Sequence, residues 1–313
     1  MLAGCATDGG VARGHSKDAT PRPAMRITRP DSNTVALQIV LREFVPAKGR
    51  GPILWLSGAS HVGESNYYAA LQRHLEGQAL VLFEGVGAKD KKLRFDPETE
   101  VSIQHTMATA LGLVFQLSAI DYDRPHFRNS DLGIAQLQQL MAGGTAGEAG
   151  RGGGGREFQE LLQVMDGSSV LGTLLHVGLK FISSSPKLQA VVKIILIETL
   201  GQLGGDMSAV KGMPPEFQRL LEVIILERNK AVLEDLRKEL RAPRPVRSIS
   251  VFYGAGHLAD LEKRFRAELG YRPRNDVWLT AISVDLRETG LTPGEMETMR
   301  GLIRWQMEAL KAE

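Results

Sequence analysis

The sequence has little cysteine, no long apolar run and no excess of either charge. Cys5 is its only cysteine, so neither a disulfide framework nor a Cys-x-x-Cys metal cluster can form within the chain. No apolar stretch reaches the roughly 18 residues that a transmembrane helix needs. The formal net charge is only +2, which gives no electrostatic case for a nucleic-acid partner. Any metal site must therefore use His, Asp and Glu.

Three familiar catalytic devices are also missing from the sequence. It contains no Gly-x-Ser-x-Gly elbow, which argues against a serine hydrolase. The glycine-rich run at 143–155 lacks the Lys-Ser/Thr pair of a phosphate loop. Thiol catalysis is excluded because Cys5 lies in a polar, glycine-rich segment near the chain start.

The order of periodic segments predicts an α/β fold. Strand-like segments alternate with segments of helical period, which favours a mixed, partly parallel sheet flanked by helices. We expect a disordered tether at 1–30 and one α/β domain at 31–313, with a glycine-rich loop at 143–155 and a mostly helical insertion at 156–243. The expected strands are 34–44, 52–58, 79–85, 114–121, 248–254 and 277–286.

Two histidines share one sequence context. In PILWLSGASHVGES an apolar strand pattern runs into Gly58, and His61 follows three residues later, ahead of a helical pattern. The stretch SISVFYGAGHLADL repeats this arrangement with Gly254 and His257. The glycines permit a sharp strand exit and a close approach of the backbone to a substrate. A histidine near the positive end of a helix is held neutral, which is the form that binds a metal ion.

Carboxylates end two further strand patterns. Glu84 closes ALVLFE and Asp121 closes VFQLSAID. Because ligands of open α/β sheets bind outside the carboxyl ends of the strands, we expect His61, Glu84 and His257 to hold a divalent ion there. Imidazole and carboxylate ligands do not choose among Mn²⁺, Co²⁺ and Zn²⁺. Asp121 is either a further ligand or a loop-capping aspartate.

Glu64 lies three residues after His61, where a helix is predicted to begin. If both residues occupy the first helical turn, they face the same side of the helix. Glu64 could then act as a general base toward water. The alternative is an acid placed in the first turn by the helix dipole alone.

Four stretches together carry a family resemblance: GASHVGESNYYAALQRHL, ALVLFEGVG, LERNKAVLEDL at 226–236, and YGAGHLADLEKRF. They resemble the two GxxH units, the glutamate-ending strand and the Glu-Arg-Asn helix of the TraB/PrgY/GumN-like family. Its relatives include the Tiki metalloproteases, erythromycin esterase and the haem-binding ChaN-like proteins. The resemblance covers about 50 to 285, with 122–210 poorly matched.

The resemblance implies an active site. In the family the two GxxH histidines and the glutamate form the centre, and the Tiki members are metal-dependent proteases. This implies that His61, Glu84 and His257 are ligands or catalytic groups. It also implies that Arg228 is an inward-facing charge that stabilises developing negative charge, with Asn229 orienting it. The alternative for Arg228 is an ordinary helix-surface arginine.

Two functions would use this cleft. The first is a metal-dependent, peptidase-like hydrolase that acts on a peptide or a small molecule. The second is a non-catalytic envelope protein that holds haem or a signalling peptide with the same histidines. The sequence does not decide between them, because both functions need the same residues in the same place.

The first residues resemble a bacterial lipobox. Leu2-Ala3-Gly4-Cys5 matches the end of such a motif, in which the cysteine is lipidated, and a polar stretch follows. The charged and apolar segment of a signal peptide does not precede it in this sequence, so either the true start lies upstream or the match is chance. The motif predicts a lipid anchor in the bacterial cell envelope, facing the periplasm, and the alternative is a cytoplasmic protein.

Overall fold

A computed structural model describes residues 21–85, 103–141, 178–205 and 222–312 of the chain. Cys5, for which lipidation is predicted, and the glycine-rich run at 143–155 lie outside these residues. Met25–Thr28 form a strand, so the prediction of a disordered tether is wrong at the carboxyl end of 1–30.

The described part of the chain contains nine strands. They are β1 Met25–Thr28, β2 Thr34–Pro46, β3 Ile53–Ala59, β4 Val62–Gly63, β5 Leu80–Phe83, β6 Val114–Phe115, β7 Phe127–Asn129, β8 Ser248–Gly254 and β9 Tyr271–Asp285. Seven of them form one sheet in the order β1-β2-β3-β8-β5-β7, with β9 also paired to β2. The short strands β4 and β6 pair with each other.

The sheet is mixed, as the sequence predicts. β2 is antiparallel to β1, β3 and β9, whereas β3, β8, β5 and β7 run parallel to one another. β9 accompanies β2 from Thr34 to Pro46, so β1 and β3 share the other edge of β2. The carboxyl ends of the four parallel strands therefore lie at one edge of the sheet, which is where α/β folds place their ligands.

The described helices lie between and after these strands. They are α1 Ser65–Glu76, α2 Ile103–Ala110, α3 Gln116–Ala119, α4 Ile134–Met141, α5 Pro186–Leu203, α6 Arg228–Leu240, α7 Leu258–Ala267 and α8 Pro293–Ala312. A π-helical turn, Glu222–Glu227, precedes α6, and 3₁₀ turns span Ala255–His257 and Leu286–Glu288. α5 shows clear end signals, with Ser185 as N-cap, Pro186 at its start and Gly204 at φ 62° after its end.

Helices cover both faces of the sheet. One apolar cluster joins α1, α5 and α8 to side chains such as Leu37 and Ile39 of β2. A second cluster joins α6 and α7 to side chains such as Val40 of β2 and Val251 of β8. Neighbouring residues of β2 point to opposite faces, so this strand contributes to both clusters. The fold is therefore a mixed α/β sheet between two helical layers.

One predicted strand is wrong. The segment 114–121 forms a strand only over Val114–Phe115 and then turns into the short helix α3. Gln116 is buried here, and its side-chain amide donates to the hydroxyl of Tyr122 at 2.9 Å. Asp121 consequently does not end a strand of the large sheet. No helix in the described parts of the chain combines the length and apolarity needed to cross a membrane.

Candidate functional site

Parallel strands bring two of the predicted site residues together. β5 and β8 are neighbours, with Phe83 paired to Phe252 near their carboxyl ends. Glu84 follows β5 directly, and His257 follows β8 at the end of a 3₁₀ turn. Because both strands run in the same direction, the two side chains leave the sheet at the same edge.

Glu84 contacts three groups that contribute to this site. Its Oε2 accepts the backbone N–H of Gly254 at 2.6 Å. Its Oε1 lies 2.6 Å from Nη2 of Arg228 and 3.6 Å from Nε2 of His257. Burial alone would raise the pKa of Glu84, but the charge of Arg228, the charge and hydrogen bond of His257 and the charge of His61 together hold that pKa well below its ordinary value. Glu84 is therefore a carboxylate at neutral pH.

Arg228 is buried and joins two carboxylates. It begins α6, and its Nε and Nη2 donate to Oδ1 and Oδ2 of Asp131 at 2.9 and 2.7 Å. Burial by itself would lower the pKa of Arg228, but Glu84 and Asp131 raise it above its ordinary value. The interpretation of Arg228 as a helix-surface arginine is excluded by its 6% exposure.

Asp131 holds the guanidinium group of Arg228 in place. Besides Arg228, it accepts the backbone N–H groups of Gly85 at 2.9 Å and of Leu132 at 2.7 Å. Its side chain is fully buried, and four N–H donors surround it. Gly85 follows Glu84 in the chain, so Asp131 positions both the guanidinium and the strand end that carries the glutamate.

Asn229 determines which nitrogen of His257 carries the proton. Its Nδ2 donates to the backbone carbonyl of His257 at 3.3 Å and to Oδ2 of Asp260 at 2.9 Å, which leaves Oδ1 as the acceptor facing Nδ1 of His257 at 2.8 Å. A flipped amide would place its oxygen against both of these acceptors. The imidazole therefore donates through Nδ1–H, which leaves Nε2, the atom that faces Glu84, as the position that takes a further proton or a metal ion. The prediction that Asn229 orients Arg228 is wrong, since its amide holds His257.

The buried cluster is short of positive charge. Glu84 and Asp131 face the single guanidinium of Arg228, so one negative charge has no full counterpart among these groups. Uncompensated charge in a protein interior is costly. A cation next to Oε1 of Glu84, either a proton on Nε2 of His257 or a metal ion, would offset it.

The aromatic ring of Tyr253 forms a wall of this cluster. It contacts the imidazole of His257 edge-on, with ring centroids 5.1 Å apart, and its hydroxyl donates to the backbone carbonyl of Ser130. Burial, followed by the charges of Asp131 and Glu84, raises the pKa of Tyr253 well above its ordinary value. Tyr253 is thus a neutral hydrogen-bond donor here.

His61 is exposed and stands in a different local structure from His257, although its charge contributes to the lowered pKa of Glu84. It occupies the turn between β3 and β4, where its backbone carbonyl accepts the N–H of Gln116 at 2.9 Å. Its side chain is exposed, and no ion pair joins it to Glu84 within the described structure. The helix predicted to follow His61 is present, but α1 begins at Ser65, so His61 lies in the turn before the helix and not in its first turn.

Glu64 is bound to strand β9. Its Oε1 accepts the backbone N–H and the hydroxyl of Ser283, both at 2.6 Å. It stands at the N-cap position of α1 without a side-chain cap bond. Glu64 therefore does not share a first helical turn with His61, so the condition for its role as a general base is not met, and its carboxylate has a structural partner.

The two predicted substrate-binding glycines have different surroundings. A Cβ on Gly58 would meet Cγ2 of Ile39 at 2.7 Å and the carbonyl oxygen of Val40 at 3.1 Å, so Gly58 is required by core packing. A Cβ on Gly254 would meet Oε2 of Glu84 at 3.3 Å. Only Gly254 therefore borders the buried cluster.

The aspartate of the buried cluster is Asp131 and not Asp121. Asp121 is exposed, and its Oδ1 accepts the N–H of Asp123 at 3.0 Å, which is the loop-capping alternative. Asp131, which no motif singled out, is the buried partner of Arg228. Asp131 could have been found only from its position two residues after Asn129, where β7 ends. That strand is too short to be recognised from its sequence.

A divalent ion fits this site in part. Nε2 of His257 and Oε1 of Glu84 are 3.6 Å apart, less than twice the roughly 2.0–2.2 Å that a ligand atom keeps from zinc. The pair could therefore share one ion. Among the described residues, however, no three His, Cys, Asp or Glu side chains are arranged to hold a metal.

Comparison with known proteins adds no relative. No family model, no curated protein and no solved structure matches the chain. The resemblance to the TraB/PrgY/GumN-like family therefore stays a prediction that depends on the four quoted stretches.

Proposed function

We propose that the chain is a hydrolase whose centre is His257 with Glu84, and that it acts with a divalent metal ion on peptide bonds. The observation that carries this proposal is that Nε2 of His257 lies 3.6 Å from Oε1 of Glu84, in a buried cluster whose two carboxylates share one guanidinium. Two electron-pair donors set against each other favour a cation between or beside them.

His257 and Glu84 would hold the ion, and His61 is the group from which a third ligand would come. His61 is exposed and its charge already acts on Glu84. Mn²⁺, Co²⁺ and Zn²⁺ all suit such ligands. A bound ion of this kind supplies Lewis acidity, which polarises a carbonyl group and makes water a better nucleophile.

The chain itself supplies orientation and charge. The lone pair of Nε2 can ligate an ion or take a proton from water, and both uses need the tautomer that Asn229 sets. Nη1 of Arg228 has no acceptor among the described residues. This N–H group is available to a carbonyl oxygen that develops negative charge. Arg228 can do so without moving, because Asp131 fixes its other two donors.

Metal loading and peptide cleavage test the proposal. The full chain would be stripped with chelator, loaded separately with Mn²⁺, Co²⁺ and Zn²⁺, and assayed for bound metal and for cleavage of a mixed peptide library. We expect at least one ion to bind near one per chain and to support cleavage that His257→Ala abolishes. His126→Ala, a half-buried histidine outside the cluster, is the matched control and should cleave normally. Equal cleavage by wild type and His257→Ala would overturn the proposal.

One observation favours the non-catalytic alternative. Both oxygens of Glu84 already have protein partners, Gly254 and Arg228, which weakens this carboxylate as a metal ligand. A protein that holds haem through the exposed His61, with no turnover, would need no such ligand. A Soret band that appears on haem titration and is lost in His61→Ala, in a protein without peptide cleavage, would select this alternative.

A further inference from the structure

Three segments of the chain meet at the edge of the sheet that lies opposite the candidate site. They stand at the amino ends of β3, β8 and β9, which point in one direction, and are 47–52, 241–247 and 269–274. The N–H of Ala47 donates to the carbonyl of Gly270 at 2.9 Å, which joins the first segment to the third. The N–H of Ile53 donates to the carbonyl of Arg247 at 3.1 Å, which joins the first to the second. We call this surface the basic edge.

The basic edge contains seven cationic residues and no acidic residue. They are Lys48, Arg50, Arg241, Arg244, Arg247, Arg272 and Arg274. All seven are exposed. Arg274 pairs with Glu43 of β2, and the other six have no ion pair or side-chain hydrogen bond within the described structure.

The acids that border the basic edge do not neutralise it. Each is paired with an arginine from outside the three segments: Glu239 with Arg128, Glu268 with Arg237 and Glu76 with Arg124. Six positive charges therefore remain without a counter-charge of their own. The formal net charge of the whole chain is only +2, so the rest of the molecule is acidic on balance.

A patch of this kind attracts a polyanion, because gathered charges of one sign raise the local concentration of the opposite sign. Phosphate groups occur in quantity on nucleic acids and on lipid bilayers. Single-stranded nucleic-acid sites add aromatic side chains on which bases stack. The only aromatic residue of the three segments is Tyr271, which is 7% exposed and donates its hydroxyl to the carbonyl of Pro52. The basic edge therefore offers charge without a stacking surface.

The start of the described chain lies close to the basic edge. Arg22 donates to Oδ1 of Asp276 on β9 at 3.1 Å. The backbone carbonyls of Arg22 and Pro23 accept from the guanidinium of Arg42 at 3.0 and 2.9 Å. Cys5, for which lipidation is predicted, precedes Arg22 by 17 positions, a stretch that spans at most about 60 Å. A lipid on Cys5 would thus hold this end of the molecule near a bilayer.

We propose that the basic edge binds the anionic headgroups of a lipid bilayer, so that the candidate site at the opposite edge of the sheet faces away from the membrane. Each lysine or arginine near an anionic bilayer strengthens binding roughly fivefold. No residue of the Glu84 cluster takes part, so the inference is independent of the proposed hydrolase.

Vesicle binding by the full chain, made without a lipid on Cys5, tests the proposal and needs no turnover. The probes are vesicles of phosphatidylcholine alone, vesicles with about one third phosphatidylglycerol, and a short duplex DNA. We expect the chain to bind the phosphatidylglycerol vesicles at about 0.05 M NaCl and to leave them at about 0.5 M, where the charges are screened. Neutral vesicles should bind at least about tenfold more weakly.

A triple variant removes three of the unpaired charges. It combines Arg241→Gln, Arg244→Gln and Arg247→Gln, and should bind the anionic vesicles about 100-fold more weakly. The matched control also loses three cations, but from paired positions outside the basic edge. It combines Lys187→Gln, Arg287→Gln and Arg304→Gln, whose partners are Glu295, Asp285 and Glu297, and it should bind much like the wild type.

A dye attached to a single cysteine tests the orientation. In a Cys5→Ser background, Pro243→Cys places the dye on the basic edge, and Asn66→Cys places it at the start of α1, near the opposite edge. Lipids that carry a quencher on the headgroup should quench the dye at position 243 more strongly than the dye at position 66.

Four outcomes would overturn the proposal. They are equal binding to neutral and anionic vesicles, tighter binding to DNA than to the anionic vesicles, equal affinity of the two triple variants while circular dichroism shows both folded, and stronger quenching at position 66.

Discussion

Nε2 of His257 and Oε1 of Glu84 face each other across 3.6 Å. Asn229 creates this situation, because it takes the imidazole proton on the far side of the ring. Arg228 maintains it, because its charge keeps Glu84 ionised. The structure thus holds two basic atoms ready for a proton or a metal ion.

Replacing Asn229 by Leu should leave the His257 imidazole free to carry its proton on either ring nitrogen. Nδ1–H of His257 would lose its acceptor, and the carbonyl of His257 and the half-buried carboxylate of Asp260 would lose a donor. We expect a loss of about 1–3 kcal/mol in the free energy of unfolding and a roughly 10–100-fold loss of metal affinity or activity. Nitrogen-15 shifts of the His257 ring measure the tautomer directly.

The matched control for this variant is Asn66→Leu, since Asn66 is exposed on α1. It should leave the His257 spectrum unchanged. If Asn229→Leu retains a ring protonated only at Nδ1, Asn229 does not set the tautomer.

Replacing Arg228 by Met should destabilise the fold in a pH-dependent way. Glu84 and Asp131 would then stand buried without their cation, at a cost of about 3–5 kcal/mol near neutral pH. In the wild type the pKa of Glu84 lies below its ordinary 4.5, so its stabilisation is present above that pH and is lost as the pH falls through the lowered pKa. In the variant that pKa rises. The deficit in unfolding free energy, measured in urea, should therefore shrink on acidification.

A double variant gives the control for Arg228. Arg228→Met with Asp131→Asn removes one charge of each sign, so it should be less destabilised near neutral pH than Arg228→Met alone. A double variant that loses the sum of the two single effects would show that Arg228 and Asp131 do not stabilise each other.

Backbone periodicity made part of this site predictable. The apolar run LVLF predicts a buried strand, and the carboxylate that follows must leave at its carboxyl end. The strand SISVFYG does the same for His257. Once both strands are parallel neighbours, Glu84 and His257 meet. This inference needs only the direction of the chain and the two-residue repeat of a strand.

The residues that hold the site were less predictable, because they come from distant segments. Asp131 lies 97 positions before Arg228 in the chain, and Asn229 lies 28 positions before His257. Hydrogen bonds of this range leave no periodic trace in a sequence. One local feature near His61 was also not predictable: β4 pairs with β6 and lies between the histidine and its helix, and a two-residue strand has no recognisable pattern.

The two GxxH glycines should respond differently to a methyl group. Gly58→Ala places a Cβ 2.7 Å from Ile39, and we expect overpacking to cost about 1–3 kcal/mol. Gly254→Ala places its Cβ 3.3 Å from Oε2 of Glu84. Gly254→Ala should therefore change the nitrogen shifts of the His257 ring, and it should lower the free energy of unfolding less than Gly58→Ala does. Thermal unfolding and ring nitrogen shifts measure the two effects separately, and the reverse pattern would contradict this assignment of the glycines.

His74 should contribute to acid sensitivity outside the site. It packs edge-on against Trp55, and its Nε2 lies 3.1 Å from Oγ of Ser57. Burial lowers its pKa from 6.5 to about 4. Between these pH values His74 binds a proton in the unfolded chain but not in the folded chain, so the free energy of unfolding falls as the pH drops through this window. From near pH 7 to near pH 5 the loss is at most about 2 kcal/mol.

His74→Gln should remove this part of the pH dependence, because a glutamine amide can still bond to Ser57 but does not titrate. Urea unfolding near pH 7 and near pH 5 gives the slope for both proteins. Many carboxylates titrate at lower pH and affect both proteins equally, so their contribution cancels in the difference. An unchanged slope in His74→Gln would mean that His74 accepts a proton in the folded state. Its burial between Trp55 and Ser57 would then cost less than the structure indicates.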